Sequence, residues 1–101
     1  MLSACLLYST ESFAQEVELK KAGTLSLQDF ACHEVESSFI NLVCYDEALE
    51  YLIVQIEENY YDYCEISSGT VEGLISSKSV GSYFNAEVKE LECSPETRPI
   101  R

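Results

Sequence analysis

The chain has 101 residues, the size of one ordinary domain, and its 18 Asp and Glu against 6 Lys and Arg give a formal net charge of -12. That balance repels phosphate backbones and anionic lipid surfaces, so it disfavours nucleic-acid binding and serves solubility and attraction to a basic partner. An apolar content of 47% excludes compositional disorder, and no run of 18 apolar residues offers a transmembrane helix.

Residues 1–14, MLSACLLYSTESFA, read as the rear of a secretory signal peptide. LSACLL supplies the apolar region, and Ser12 and Ala14 are the small residues before a cleavage point between Ala14 and Gln15. The basic segment of such a signal does not precede Leu2, so this reading expects the true start upstream. Leu2-Ser3-Ala4-Cys5 also matches a bacterial lipobox, in which Cys5 carries the lipid, but Leu6-Leu7-Tyr8 is apolar where a polar tether normally begins. A plain amphipathic helix is the structural alternative. The expected mature chain is periplasmic or secreted.

The cysteines bear on the same point. Beyond Cys5, four remain, Cys32, Cys44, Cys64 and Cys93, an even number in a short chain, which suits a disulfide framework in an oxidising compartment. They contain no CxxC pair and lack zinc-site spacing, so no metal is expected. Buried free thiols are the alternative. Four cysteines allow three connectivities. Cys32 and Cys93 flank the central region almost symmetrically, so that pair is expected, leaving Cys44 with Cys64. In a flat meander the strands of Cys44 and Cys64 lie about 9.6 Å apart, and a bridge needs Cα atoms within about 7 Å. The second pair therefore requires a curled sheet or another strand order.

Residues 15–36 form a mixed lead-in, partly extended, broken at Gly23. SFINLVCY, residues 38–45, is rich in β-branched and aromatic residues and reads as a strand. Asp46-Glu47-Ala48 turns the chain. LEYLIVQI follows as a second strand, with Leu52, Val54 and Ile56 on one face. Glu57-Glu58-Asn59 is the hairpin loop, with Asn59 suited to a left-handed conformation. YYDYCEI is the third strand, placing Tyr61, Tyr63 and Glu65 on one face and Tyr60, Asp62, Cys64 and Ile66 on the other. The period then changes. Ser67 or Ser68 caps a helix from Thr70 to Ser77, with Val71, Leu74 and Ile75 as its stripe. A second helix runs from Tyr83 to Leu91, carrying Phe84, Val88 and Leu91, and Pro95 and Pro99 mark a loose tail. The expected fold is α+β: a three-stranded antiparallel meander with two short helices over residues 37–92, a lead-in at 15–36 and a tail at 93–101.

Two motifs stand in this region. Tyr61-Asp62-Tyr63 is a Y-x-Y, and Ser79-Val80-Gly81-Ser82-Tyr83-Phe84-Asn85 is an S-x-G-x-[YF]-F-N followed by the aliphatic Val88. In that order they resemble the KTSC domain, a short bacterial domain of unknown function. The resemblance spans Ser37 to Val88, with Ile66-Ser67 where the family often has Val-Pro and Asn59 where it often has Gly. It implies a compact sheet with helices and says little of activity. The family also occurs at the C-terminus of some lysyl-tRNA synthetases, which suggests RNA binding there. Here the only basic residue between Ser37 and Val88 is Lys78, so stacking tyrosines would lack the cations that RNA binding needs.

Tyr61, Tyr63, Tyr83 and Asn85 are the candidate binding residues, weighed against rings that simply pack under a helix with hydroxyls reaching the surface. Gly81 reads as a turn or close-approach position, or as part of a small anion nest. His33 is the single histidine, so a His-rich metal site is excluded, and it reads as a surface residue. Asp46-Glu47, Glu57-Glu58 and Asp62 read as solvated turn charge, since no EF-hand loop is present. No GxSxG, P-loop or GxGxxG occurs. The expected function is a non-enzymatic exported interaction or accessory module without cofactor. The alternatives are an acidic inhibitor or immunity-type protein facing a basic partner, and an RNA-binding module.

Overall fold

The computed structural model describes residues 16–99. The expected cleavage point at Ala14 and Gln15 and the lipobox at Cys5 lie outside the described residues. Strands β1 (Glu16–Leu19), β2 (Gly23–Ser26), β3 (Ala31–Glu34), β4 (Ile40–Asp46), β5 (Tyr51–Ile56) and β6 (Asn59–Tyr63) are followed by helices α1 (Ser68–Ser76) and α2 (Val80–Glu87). Short 3-10 turns at Glu47–Leu49 and Lys89–Leu91 close the β4–β5 connection and the end of α2.

The expectation of a three-stranded sheet is overturned. The strands form one six-stranded mixed sheet in the order β2-β1-β6-β5-β4-β3. Strands β4, β5 and β6 pair antiparallel in sequence order. The lead-in adds the rest: β3 pairs antiparallel with β4, β2 with β1, and β1 runs parallel to β6 through Leu19 and Tyr60. Three strands of four residues, one of them exposed throughout, carry too little alternation to be recognised in sequence.

The sheet is also curled. β2 and β3 occupy opposite edges, yet only residues 27–30 join them. Five Cα-to-Cα steps reach about 18 Å at most, whereas the edges of a flat six-stranded sheet stand about 24 Å apart. Leu27 and Phe30 of this link are buried, and the Phe30 ring lies 5.8 Å from that of Tyr51. The link therefore crosses the face opposite the helices and fills the inside of the curl.

Alternation along the strands divides the interior into two cores. Val43, Tyr45, Leu52, Val54 and Tyr63 face the helices and meet Val71, Leu74, Val80, Phe84 and Val88. Cys44, Tyr51, Ile53 and Cys64 face the other way and meet Val17, Leu19, Leu27 and Phe30. Leu52, Val54 and Ile56 share a face, as their spacing predicts. Ile66 does not stay with Cys64: Glu65 takes a positive φ of 61°, which breaks the alternation and turns Ile66 into the helix-side core. The hairpin likewise places its left-handed residue at Glu57 (φ 57°), while Asn59 already pairs with Ile56. Ser67 and Ser79 cap α1 and α2 by accepting from the N–H groups of Thr70 and Ser82.

Both disulfides differ from the expected pairing. Cys32 joins Cys44, and Cys64 joins Cys93. Once residues 31–34 form a strand, Cys32 lies directly opposite Cys44 with Cα atoms 4.0 Å apart. Cys44 and Cys64 share a face, but β5 lies between their strands. Cys64 is reached instead by the tail, where Glu92 bridges Tyr63 and the Cys93 N–H donates to the Asp62 carbonyl. In the chain-entropy picture, loops with cysteines 12 and 29 residues apart contribute about 3 and about 4 kcal/mol.

Asp62 corrects the reading of solvated turn charge. It sits mid-strand, 1% exposed, facing the second core. Arg98 grips its carboxylate with two donors, Nε to Oδ2 at 2.6 Å and Nη2 to Oδ1 at 3.1 Å, and the Tyr51 hydroxyl donates to Oδ2 at 3.0 Å. The tail that composition marks as loose is thus fixed by a disulfide and by the ion pair of Arg98 with the buried Asp62 carboxylate. Arg98→Ala strands a buried carboxylate, and urea unfolding should show a loss of about 3 kcal/mol, with Arg98→Lys recovering only part because lysine lacks the planar fork.

Candidate functional site

The S-x-G segment opens α2 against the turn before β4. Ser77 and Ser79 lock the approach: Ser77 Oγ donates to the Ser79 carbonyl at 2.9 Å and accepts from the Ser79 N–H at 3.0 Å. Across from them, Ser37 Oγ accepts from the N–H groups of Phe39 and Ile40 at 3.3 and 3.4 Å. Between these walls lies an open, polar groove of about 300 Å³, bounded by Ser37, Ser38, Lys78, Ser79, Ser82 and Asn85.

Gly81 is a close-approach position. A Cβ there would stand 2.7 Å from Phe39 Cε1 and 3.2 Å from Cζ. The absence of a side chain lets Phe39 lie against the helix, where its ring meets Phe84 edge to face at 6.3 Å. Tyr63 approaches Phe84 from the sheet at 5.4 Å and 90°. The second motif thereby rests on the first through one aromatic contact, a geometry that adds about 1 kcal/mol beyond area burial. Gly73 does the same between the helices, since a Cβ would stand 2.6 Å from Tyr83 Cζ.

The candidate binding residues do not converge. Asn85 lines the polar groove with Ser79 and Gly81, but none of the three tyrosines does. Tyr63 is buried, and Tyr61 and Tyr83 are half-buried against the helix-side core. Burial and the nearby Glu92, Tyr61 and Asp62 charges raise the Tyr63 phenol above its ordinary range. Tyr51 is raised by burial and then by the Asp62 carboxylate beside it, and Tyr45 by burial and then Glu50. The Tyr45 hydroxyl is committed to the Ile66 carbonyl. The Arg98 guanidinium is held charged by its bond to Asp62.

A second, larger groove was not legible in the sequence. It lies between β3 and α1, has a volume of about 580 Å³, and is lined by Ala31, His33, Tyr45, Val71 and Ile75 with Glu47 and Glu72 at its rim. His33 is exposed there, as expected of a surface residue, and its neighbour Cys32 is held in a disulfide. Among the described residues no three His, Cys, Asp or Glu side chains gather as a metal site, and no helix is long and apolar enough to cross a membrane.

The sequence model of the KTSC domain matches residues 36–91, more than half of the chain. The chain belongs to the KTSC domain family. The crystal structure of a KTSC domain protein from Yersinia pestis is similar at 25% identity and a TM-score of 0.60, over 63% of this chain and 92% of that one. A search of curated proteins found no match. The KTSC span holds β4 to β6, both helices and the polar groove, whereas β1 to β3 and the tail beyond Leu91 are outside it. Each disulfide joins one cysteine of that span, Cys44 or Cys64, to one outside it, Cys32 or Cys93.

Two outcomes follow from this packing. Gly81→Ala forces Phe39 off Phe84 and should cost about 1–3 kcal/mol by urea unfolding, with less than additive loss in Gly81→Ala/Phe39→Leu. A raised phenol pKa contributes stability that is complete below the unfolded value near 10 and is lost above it. The urea midpoint should therefore hold to about pH 9 and fall beyond pH 10, with a shallower fall in Tyr63→Phe.

Proposed function

We propose that this KTSC domain protein is an exported, non-catalytic module that acts by presenting a surface to a protein partner. The observation that carries this reading is the pairing of all four cysteines outside residues 1–15: Cys32 with Cys44 and Cys64 with Cys93. Bridges that fasten both extensions to the domain are durable in a periplasm or outside the cell and are rare in a reducing cytosol. The groups with shifted protonation, Tyr45, Tyr51, Tyr63 and Arg98, are committed to packing, to a backbone carbonyl or to the Asp62 pair. A net charge of -12 favours a basic protein surface over nucleic acid. The same charge supports a second reading, an acidic inhibitor or immunity-type protein that neutralises one basic enzyme or toxin.

Fractionation of the native host with intact-mass measurement tests the proposal. The protein is expected in the exported fraction with the four hydrogens of two disulfides missing. Reduced protein confined to the cytosol overturns the exported reading. Cross-linking in the exported fraction should capture a protein partner, with inhibition of that partner marking the second reading. A gel shift with RNA that survives moderate salt would count against both.

A further inference from the structure

We infer that the open edge of β3, together with the groove between β3 and α1, is a docking site for an extended peptide segment of a partner protein that carries an apolar side chain flanked by Lys or Arg. The inference rests on the interaction-module reading and gives it a place and a ligand chemistry.

The backbone sets the first half of the site. Among the described residues β3 pairs with β4 alone, so its other side is an unpaired edge. The Val35 N–H donates to the Asn41 carbonyl at 3.3 Å, which fixes the phase of the antiparallel ladder. Counting back along the register, His33 opposite Val43 and Ala31 opposite Tyr45 are the hydrogen-bonded pairs. Cys32 and Glu34 occupy the alternate positions, so their N–H and C=O groups point away from β4 into the open edge. The same parity places the Cys32–Cys44 bridge at a pair whose side chains stand closest, and the bridge ties this edge covalently to β4.

Side chains set the other half. Ala31 and His33 project to the helix side of the sheet, where α1 does not reach far enough to cover them, and both remain exposed. The space so left has an apolar floor of Ala31, Tyr45, Val71 and Ile75. Its charged rim is Glu47 and Glu72, and no Lys or Arg lines it. A strand added to β3 turns alternate side chains toward this floor. An apolar side chain then covers Tyr45, Val71 and Ile75, and basic residues two positions to either side reach Glu47 and Glu72. An edge of four residues gives a short footprint, suited to a weak and salt-sensitive contact.

The test uses the oxidised full chain and a synthetic nonapeptide with Lys-Val-Lys at alternate positions separated by threonines, beside a counterpart with Glu for each Lys. Titration followed by amide NMR should saturate, with shifts concentrated at residues 31–35 and 68–76. The Glu peptide should bind at least about tenfold more weakly. Glu34→Pro removes one outward N–H without touching the β3–β4 ladder, and should weaken binding by about tenfold or more. Glu72→Lys, an exposed change on α1, should do the same and keeps the test informative if the proline variant loses its fold. The site is overturned if shifts fail to saturate at millimolar peptide, if they cluster at Ser79 and Asn85, or if a folded variant leaves affinity unchanged. A natural partner that binds wild-type and Glu34→Pro protein alike overturns this site while the interaction reading stands. RNA binding that survives moderate salt overturns the reading beneath it.

Discussion

Residues 27–30 must connect strands that sit at opposite ends of a six-strand order, and no flat sheet allows so short a path. Much else in the architecture follows from that constraint. The sheet curls, its inner face becomes a second core, and Leu27 and Phe30 fill it against Tyr51 and Ile53. The link also delivers the chain to the outer side of β4, where β3 can pair and Cys32 can meet Cys44. The helices cover the outer face of the curl, but β3 lies beyond their reach, which leaves the groove beside α1 open.

The KTSC span and its additions are joined by unlike chemistries that complement each other. Hydrophobic contact seats the β2–β3 link, disulfides fix both extensions, and a charge pair completes the second one. Asp62 is costly to bury by itself, and the Arg98 fork with the Tyr51 hydroxyl offsets that cost. The Lys21–Glu92 pair at 3.2 Å also links the two extensions, but it is largely exposed and contributes little. The polar groove over Ser79, by contrast, is built wholly within the KTSC span.

Legibility in the sequence followed burial on alternating faces. SFINLVCY, LEYLIVQI and YYDYCEI alternate apolar side chains into packed cores, so β4, β5 and β6 were readable. A serine cap announced the first helix, whereas the second was read from the spacing of Phe84 and Val88 and begins earlier than expected, at Val80 behind the Ser79 cap. The three lead-in strands were not: β1 alternates Val17 and Leu19 inward but over only four residues, and Ala31 to Glu34 are exposed throughout. That omission alone misdirected the disulfides, since Cys32 has an obvious partner only after residues 31–34 are known to be a strand. A trace of the answer was present: Glu36, Ser37 and Ser38 are turn-forming residues midway between Cys32 and Cys44. Asp62 was grouped with the solvated turn acids because a carboxylate is ordinarily exposed, and its partner lies 36 residues away in a proline-bearing tail. Of the candidate site, the structure realises the close-approach alternative at Gly81, the tyrosines pack against the helix-side core as the alternative reading described, and the β3–α1 groove needed the third dimension.

The way the two bridges straddle the edges of the KTSC span has a practical corollary for anyone who would excise that span. A fragment trimmed to residues 36–91 keeps Cys44 and Cys64 but discards both of their mates, and keeps Asp62 without its guanidinium. Such a fragment would carry two orphan thiols, prone to cross-link molecule to molecule in air, around a carboxylate with nothing to neutralise it. A fragment that keeps both bridges and the Asp62–Arg98 pair is therefore wider than the family signature and must reach from Cys32 through Arg98.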